Sequence, residues 1–275
     1  MVDLHLHTTI SDGRLTPPEL VDAVARAGVR VMALTDHDTT AGTAEVRVLA
    51  QARGVEAVSG IEITAVERGR DVHILGYFLD ETVPHLAAFL ATQRERRVER
   101  VRAIAVRLAS LGAPIDAEAL VAEASKLAGR SLGRPQVAKA LVDAGHAESI
   151  ADAFQVWLAE GRPAFVPREG PSCEDVIETI HRAHGLASLA HPEKTAIDPR
   201  IPALRAAGLD ALEVYHSDHP PDVRERYRAM AATLGMLVTG GSDFHGDPQQ
   251  GRTPGGVHLP EPEWQQLRGA AATHA

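Results

Sequence analysis

Short apolar, β-branched runs recur along this chain with helical segments between most of them, and that alternation confines it to the α/β folds. The runs fall at 2–6, 30–35, 55–61, 72–79, 186–190, 210–215 and 236–240. A first helix is entered through Thr16, Pro17 and Glu19 and closed by Gly28. Thr16 followed three residues later by Glu19 reads as a capping box, and Pro17 stands where a helix needs no amide hydrogen. Further helices fit 41–53, 173–184, 198–207 and 220–234. Seven strands favour a barrel over an open sheet. The 275 residues, 44% of them hydrophobic, suffice for one such core carrying a smaller insert.

One connection departs from the alternation. The stretch from Thr64 to Asp71 is too short for a parallel crossover, so the third and fourth runs form a hairpin turning near Glu67-Arg68-Gly69. Folding about that point sets Glu62 opposite His73. From about 84 to 160 the strand signal disappears: Leu86, Leu90, Val98, Val101, Ile104, Leu108 and Leu111 keep a helical spacing up to Gly112. Helices then fit 116–127, 135–144 and 149–160. The expected organisation is an α/β barrel built from 1–84 and 161–275, interrupted by an all-helical insertion at 85–160 that returns near Pro163. The tail after Trp264 is expected to fray.

A net charge of −9 argues against broad capture of nucleic acid and leaves room only for a local basic groove. The single Cys173 excludes an internal disulfide and fits a cytoplasmic setting. No charged-then-apolar leader precedes Asp3, no apolar run approaches membrane-spanning length, and nothing implies a stable protein partner. Fourteen histidines are the outlier of the composition.

Their positions carry the chemistry. In Asp3-Leu4-His5-Leu6-His7 the strand alternation puts both imidazoles on one face, and Asp12 follows in Ser11-Asp12-Gly13. The second strand runs into Thr35-Asp36-His37-Asp38, the third into Gly60-Ile61-Glu62, the fifth into Ala190-His191-Pro192. The seventh ends in Gly240-Gly241-Ser242-Asp243-Phe244-His245-Gly246, and the hairpin adds His73. In α/β barrels the C-terminal strand ends share one mouth. His5, His7, Asp12, His37, Glu62, His73, His191, Asp243 and His245 therefore form one candidate set. Such a set exceeds what one tetrahedral zinc needs. It suits two or three divalent ions, with Mn, Fe or Zn favoured over Mg by the imidazoles and Glu62 able to bridge a pair. His85, His146, His181, His184, His219, His258 and His274 are read as structural.

In this order the motifs resemble those of the polymerase and histidinol phosphatase (PHP) superfamily, over nearly the whole chain. They are most similar to its small metal-dependent phosphoesterases acting on nucleoside 5′-phosphates and short RNA. The resemblance implies a distorted seven-stranded barrel with a metal cluster in its mouth. It assigns one metal to His5, His7, Glu62 and Asp243, shares Glu62 with a second completed by His73 and His191, and gives the third Asp12, His37 and His245. The implied activity is hydrolysis of nucleoside mono- or 3′,5′-bisphosphates, or 5′-to-3′ trimming of short RNA. A water bridging two metals would lose its proton near neutral pH, with His191, Asp243 and Glu62 at the chemistry.

Ser131-Leu132-Gly133-Arg134-Pro135 and the segment from Gly161 to Pro167 also resemble the family, whose members often carry His where this chain has Gln136. Arg134, with its planar fork, is the expected phosphate clamp, beside Ser131 and His216 and more weakly Lys126. His191 or His216 could protonate the leaving group. Asp3, Asp36 and Asp38 are read as orienters of the histidines or as turn formers. The six arginines from Arg94 to Arg107 read as a solvated helix face paired with Glu95 and Glu99, or else as a track for an RNA backbone. Two other functions fit less well: a phosphatase of histidinol phosphate or another small monoester, and a non-catalytic, metal-stabilised scaffold.

Overall fold

The structure, a computed structural model, describes residues 1–274, the side chain of His274 excepted. Strands β1 (Val2–Leu6), β2 (Val31–Leu34) and β3 (Glu56–Val58) form one parallel sheet in that order. A second sheet has the order β4 (Gly60–Glu67), β5 (Arg70–Tyr77), β6 (Leu186–Leu189), β7 (Ala211–Tyr215), β8 (Leu237–Gly240). In it β4, β5 and β6 pair antiparallel and β6, β7 and β8 parallel. Among the described residues the strands thus number eight, in two sheets, where the sequence predicts seven.

The extra strand arises at 55–61, which splits. The chain leaves the first sheet after Val58 and enters the second at Gly60. A Cβ on Gly60 would lie 2.8 Å from the Leu34 carbonyl and 3.0 Å from the Ala33 Cβ, so only glycine passes the end of β2 this closely. The second sheet meets the first at both of its own edges through single bridges, one beyond β8 to β1 and one from β4 to the segment after β2. His7 N–H donates to the Phe244 carbonyl at 3.0 Å, and Asp38 N–H to the Glu62 carbonyl at 2.9 Å.

The predicted hairpin forms, but its register is shifted. A two-residue turn at Arg68-Gly69, both with positive φ, pairs Glu67 with Arg70. His73 consequently faces Thr64, and Glu62 faces Leu75, not His73 as expected. The slip is two residues, so His73 keeps its face and reaches Glu62 diagonally.

Helices cover the outer faces. In α1 (Pro17–Arg26), Glu19 accepts from the Thr16 N–H at 2.8 Å and its hydroxyl at 2.7 Å. Leu20, Val21 and Val24 then bury against Leu6, Met32 and Leu34, joined by Val46 and Ala50 of α2 (Thr43–Ala52). Each such side chain, fully withdrawn from water, contributes roughly 1.5–3 kcal/mol. The long α3 (Pro84–Ser110) spans two environments: Leu86 and Leu90 pack on the second sheet. Val101, Ile104 and Leu108 instead join a separate cluster with α4 (Ala117–Ser125), α5 (Arg134–Asp143) and α6 (Ile150–Ala153), which continues as a π-helical turn over Phe154–Leu158. The chain then forms α7 (Cys173–Arg182), α8 (Pro192–Thr195), α9 (Ile201–Ala206), α10 (Pro221–Leu234) and α11 (Glu261–His274). No helix among the described residues is long and apolar enough to cross a membrane.

Two expectations fail in the helices. Within the described residues the tail after Trp264 does not fray: Trp264 and Leu267 of α11 are fully buried in one cluster with Val2, Leu4 and Val31 of the first sheet and Tyr77 and Leu186 of the second. Nor are the α3 arginines a solvated face paired with Glu95 and Glu99. Arg97 is buried on Asp38, Thr64 and the Leu132 carbonyl. Arg100 binds Asp71 and the Val166 carbonyl, Arg94 the Asp38 carbonyl, and Arg102 binds Glu118 of α4. Because α3 lies across the strand ends, its partners come from elements far away in sequence, and most of the run is engaged internally.

Candidate metal centre

β1 is buried along its whole length, so the alternation that puts His5 and His7 on one face aims both into the protein. Glu62 arrives from β4, His73 from β5, and His37, His191, Asp243 and His245 from segments just beyond β2, β6 and β8. His191 (φ +28°), Asp38 (φ +52°) and Asp243 (φ +52°) hold left-handed backbone without being glycine, strain that turns the chain inward at the strand ends. Gly241 makes room: a Cβ there would lie 2.4 Å from the His5 amide nitrogen.

All nine predicted ligands come together. His5 Nε2 lies 3.3 Å from Glu62 Oε2 and 3.4 Å from Asp243 Oδ1, and His7 Nε2 repeats both distances. Neighbouring donors about 2.0–2.2 Å from one ion stand roughly 3.3–3.6 Å apart, so each of these four contacts has the spacing of two ligands sharing an ion. The other Glu62 oxygen, Oε1, is 2.8 Å from His73 Nδ1 and 3.1 Å from His191 Nε2. Asp12 lies 3.4 Å from both His37 Nε2 and His245 Nε2. His7 and His37 each face two of these groups through their two nitrogens, at 3.6 Å from Asp12 and 3.2 Å from Glu62 respectively.

The donor set fits divalent cations on a second ground. Buried nitrogens His5 Nε2, His7 Nδ1 and Nε2, His37 Nδ1 and His73 Nδ1 stand 2.8–3.6 Å from carboxylate oxygens without making a well-directed hydrogen bond, and His191 Nδ1 makes none either. Each such group costs about 1–3 kcal/mol when left unsatisfied. Electrostatics agree. Burial opposes the charge of Asp12, Glu62 and Asp243, but the surrounding imidazoles outweigh it and hold all three well below the usual carboxylate range. Burial likewise opposes protonating His5 and His7, yet the carboxylates raise His5 well above its ordinary value and push His7 up to about 10. His191, with burial dominant, falls to about 3 and presents a neutral ring.

One orienting residue was not anticipated. Glu213, fully buried on β7, accepts from His5 Nδ1 at 2.8 Å and from the His191 backbone N–H at 2.7 Å. The first bond fixes the His5 tautomer so that the Nε2 lone pair faces the cluster. A lone carboxylate inside the apolar Ala211-Leu212-Glu213-Val214-Tyr215 strand was the available signal. Asp3, Asp36 and Asp38 touch no histidine ring. Asp3 accepts from Ser242 and Gly255, Asp36 from Thr8 and Ser11, Asp38 from Thr64 and Arg97. They pin the loops that carry the ligands.

Beside the cluster lies a cavity of about 340 Å³ lined by Asp71, Arg134, Phe154, Phe165 and Lys194. Lys194 Nζ reaches Asp243 Oδ2 at 3.3 Å, and Arg252 reaches the same oxygen at 2.6 Å. Arg134 sits 3.3 Å from Asp71 and about 5.8 Å from the Phe154 ring. Arg168, also unanticipated, is 3.3 Å from Asp71, and burial together with neighbouring Arg97 brings its guanidinium down to about 9. Ser131 and His216 are buried and do not line this cavity. Ser131 N–H donates to the Ile10 carbonyl. His216 accepts from the Asp218 N–H at Nδ1, which leaves Nε2–H to donate to Asp243 at 3.1 Å. Lys126 pairs with Glu123 on the surface. Gln136 ties α5 to the Ser11 carbonyl, next to Asp12.

An α/β fold that gathers buried imidazoles and carboxylates at its strand ends, beside a cationic cavity, defines a metal-dependent hydrolase. The PHP domain family matches residues 3–184, and the chain belongs to that family. It is 34% identical to the 3′,5′-nucleoside bisphosphate phosphatase of Chromobacterium violaceum, covering 97% of this chain and 96% of that protein. It is 37% identical to the 5′-3′ exoribonuclease Rnm of Escherichia coli, over 88% of this chain and 84% of the relative. A solved protein of Bifidobacterium adolescentis, described as a candidate metal-dependent phosphoesterase, superposes with a TM-score of 0.87 at 34% identity, covering 96% of this chain and 94% of that one. The chain is a metal-dependent phosphoric ester hydrolase.

Proposed function

We propose that this enzyme removes phosphate from nucleotides, acting on nucleoside mono- or 3′,5′-bisphosphates and on the 5′ end of short RNA. The observation that carries the reading is the ligand-like spacing of His5 and His7 to Glu62 and Asp243, next to a cavity walled by Arg134, Lys194, Phe154 and Phe165. Cations there suit a phosphoryl group and aromatic rings suit a base. Two to three divalent ions, Mn, Fe or Zn, are held by the nine ligands in the grouping the family resemblance implies.

When bound, the ions supply Lewis acidity that polarises the phosphoryl group and acidifies water. The chain's own residues do the rest. Glu213 keeps the His5 lone pair turned inward, and Glu62 presents one oxygen to each of two neighbouring groups. Lys194 and Arg252 neutralise the outer oxygen of Asp243. Arg134 receives the substrate phosphate; of the two histidines expected as proton donors to the leaving oxygen, His216 is buried and spent on Asp243, and His191 presents a neutral ring to Glu62. The bridged edges of the two sheets support reading them as one distorted barrel, into which 85–160 is inserted. A cytoplasmic setting suits these substrates.

The test is a substrate screen on metal-replete protein with metal content measured in parallel. Phosphate release from nucleotides or 5′-phosphorylated RNA, abolished by chelation and restored by one of the three metals, is expected. Release from histidinol phosphate alone would overturn the nucleotide reading.

A further inference from the structure

Beyond the cavity holding Arg134 lies a second, of about 480 Å³, lined by Glu67, Arg68, Arg70, Pro199 and Arg200. Arg70 and Ala196 line both cavities, so the two form one groove leading away from the metal centre. The β4–β5 hairpin runs along it. His73 stands in the cluster, Asp71 in the first cavity, Arg70 at the junction, and Arg68 at the hairpin tip in the second. At about 3.3 Å per strand residue, the junction lies roughly 10 Å from His73. A nucleotide whose phosphate sits at the metal centre would leave the second cavity empty.

The groove's charge is available, unlike that of α3. Arg68 and Arg70 have side chains 85% and 59% exposed, and their carboxylate contacts are loose, at 3.7 Å to Glu67 and 3.5 Å to Glu160. Glu67, the acidic residue of the second cavity, is already held by Arg200 at 3.2 Å. Exposed guanidinium groups beside a concave surface, on a protein of net charge −9, mark a local anion track rather than a generally basic face. Phe154 and Phe165 in the first cavity offer sequence-tolerant stacking for the leading base.

We propose that this groove binds the nucleotides that follow the reacting phosphate of single-stranded RNA, with Arg68 and Arg70 on their backbone phosphates. The proposal rests on the nucleotide reading above and extends it from one nucleotide to several. The hairpin, not the arginine helix, is then the backbone track.

Binding of a 5′-phosphorylated tetranucleotide with phosphorothioate linkages, followed by fluorescence anisotropy on metal-loaded protein, tests this without turnover. The tetranucleotide should bind about tenfold more tightly than the mononucleotide, with a salt slope steeper by about one to two. Arg68→Asn, a change confined to the second cavity, should remove most of that gain and leave kcat/KM on the mononucleotide unchanged; Asn tolerates the positive φ of Arg68. Equal affinities for both lengths, or an undiminished gain in the Arg68→Asn variant, would overturn the groove. Length-dependent binding with no hydrolysis of any nucleotide would instead overturn the functional reading alone.

Discussion

Glu213→Gln is the sharpest single test of how the centre is built. The change keeps shape and removes one charge. The His191 backbone N–H, 2.7 Å from Oε2, needs an acceptor, so the amide oxygen of the variant must occupy that position. The amide nitrogen then faces His5 Nδ1, where Oε1 stood at 2.8 Å. Two donors cannot face one another in a site with no exposure. His5 must therefore move its proton to Nε2, the nitrogen that lies 3.3 Å from Glu62 and 3.4 Å from Asp243. The lone pair leaves the metal quartet. A charge-assisted hydrogen bond is worth about 1.5–3 kcal/mol, and losing an orienting partner of a metal-bound histidine costs about 10- to 100-fold in affinity or activity. Chelator competition should show metal affinity falling by that factor, with kcat falling alongside, while far-UV circular dichroism is unchanged. Metal affinity and kcat both within about twofold of wild type would refute the tautomer argument.

Arg134→Ala should raise KM for phosphorylated substrates by about 10- to 100-fold, the worth of one charge-assisted contact, with kcat little altered; an unmoved KM would remove Arg134 from the site. In the metal-free protein Glu213 titrates at about 2 against an ordinary 4.5: burial raises it, but His5 and its neighbours outweigh that. Its folded pKa is depressed, so its stabilisation is complete above about pH 4.5 and drains away towards pH 2, about 3 kcal/mol in all. Thermal unfolding of chelated protein should show that acid slope, and Glu213→Gln should flatten it; parallel slopes would contradict the assignment. Arg97→Met strips Asp38 of its closest buried partner and should cost about 3–5 kcal/mol in urea unfolding. A loss under about 1 kcal/mol would mean that Arg168, 3.7 Å away, suffices.

Much of the candidate site was legible because metal ligation demands particular side chains at particular places. His5 and His7 share a face for a purely local reason, the alternation of a strand. Asp243 and His245 follow a strand end marked by glycines. The hairpin was legible from its length, yet its register was not. Nothing in Glu67-Arg68-Gly69 distinguishes a turn centred on Arg68-Gly69 from one centred a residue earlier. Position 55–61 read as one strand because Val55, Val58 and Ile61 outweighed the Ser59-Gly60 interruption; the break at Gly60 answers to Leu34, a neighbour only in space. Glu213 passed unnoticed as one polar residue in an apolar run.

The sequence by itself determined the alternation of strands and helices, the nine candidate ligands and the family, since these depend on residue type and near-neighbour spacing. Only the tertiary structure decided which oxygen faces which imidazole, that Glu213 and not Asp3, Asp36 or Asp38 holds a ligand ring, and that the α3 arginines are engaged inside while Arg68 and Arg70 remain free to solvent. The division has one physical cause. A strand or helix propensity is written in neighbouring residues, whereas a buried charge takes its partner from whichever element the fold brings within about 3–4 Å.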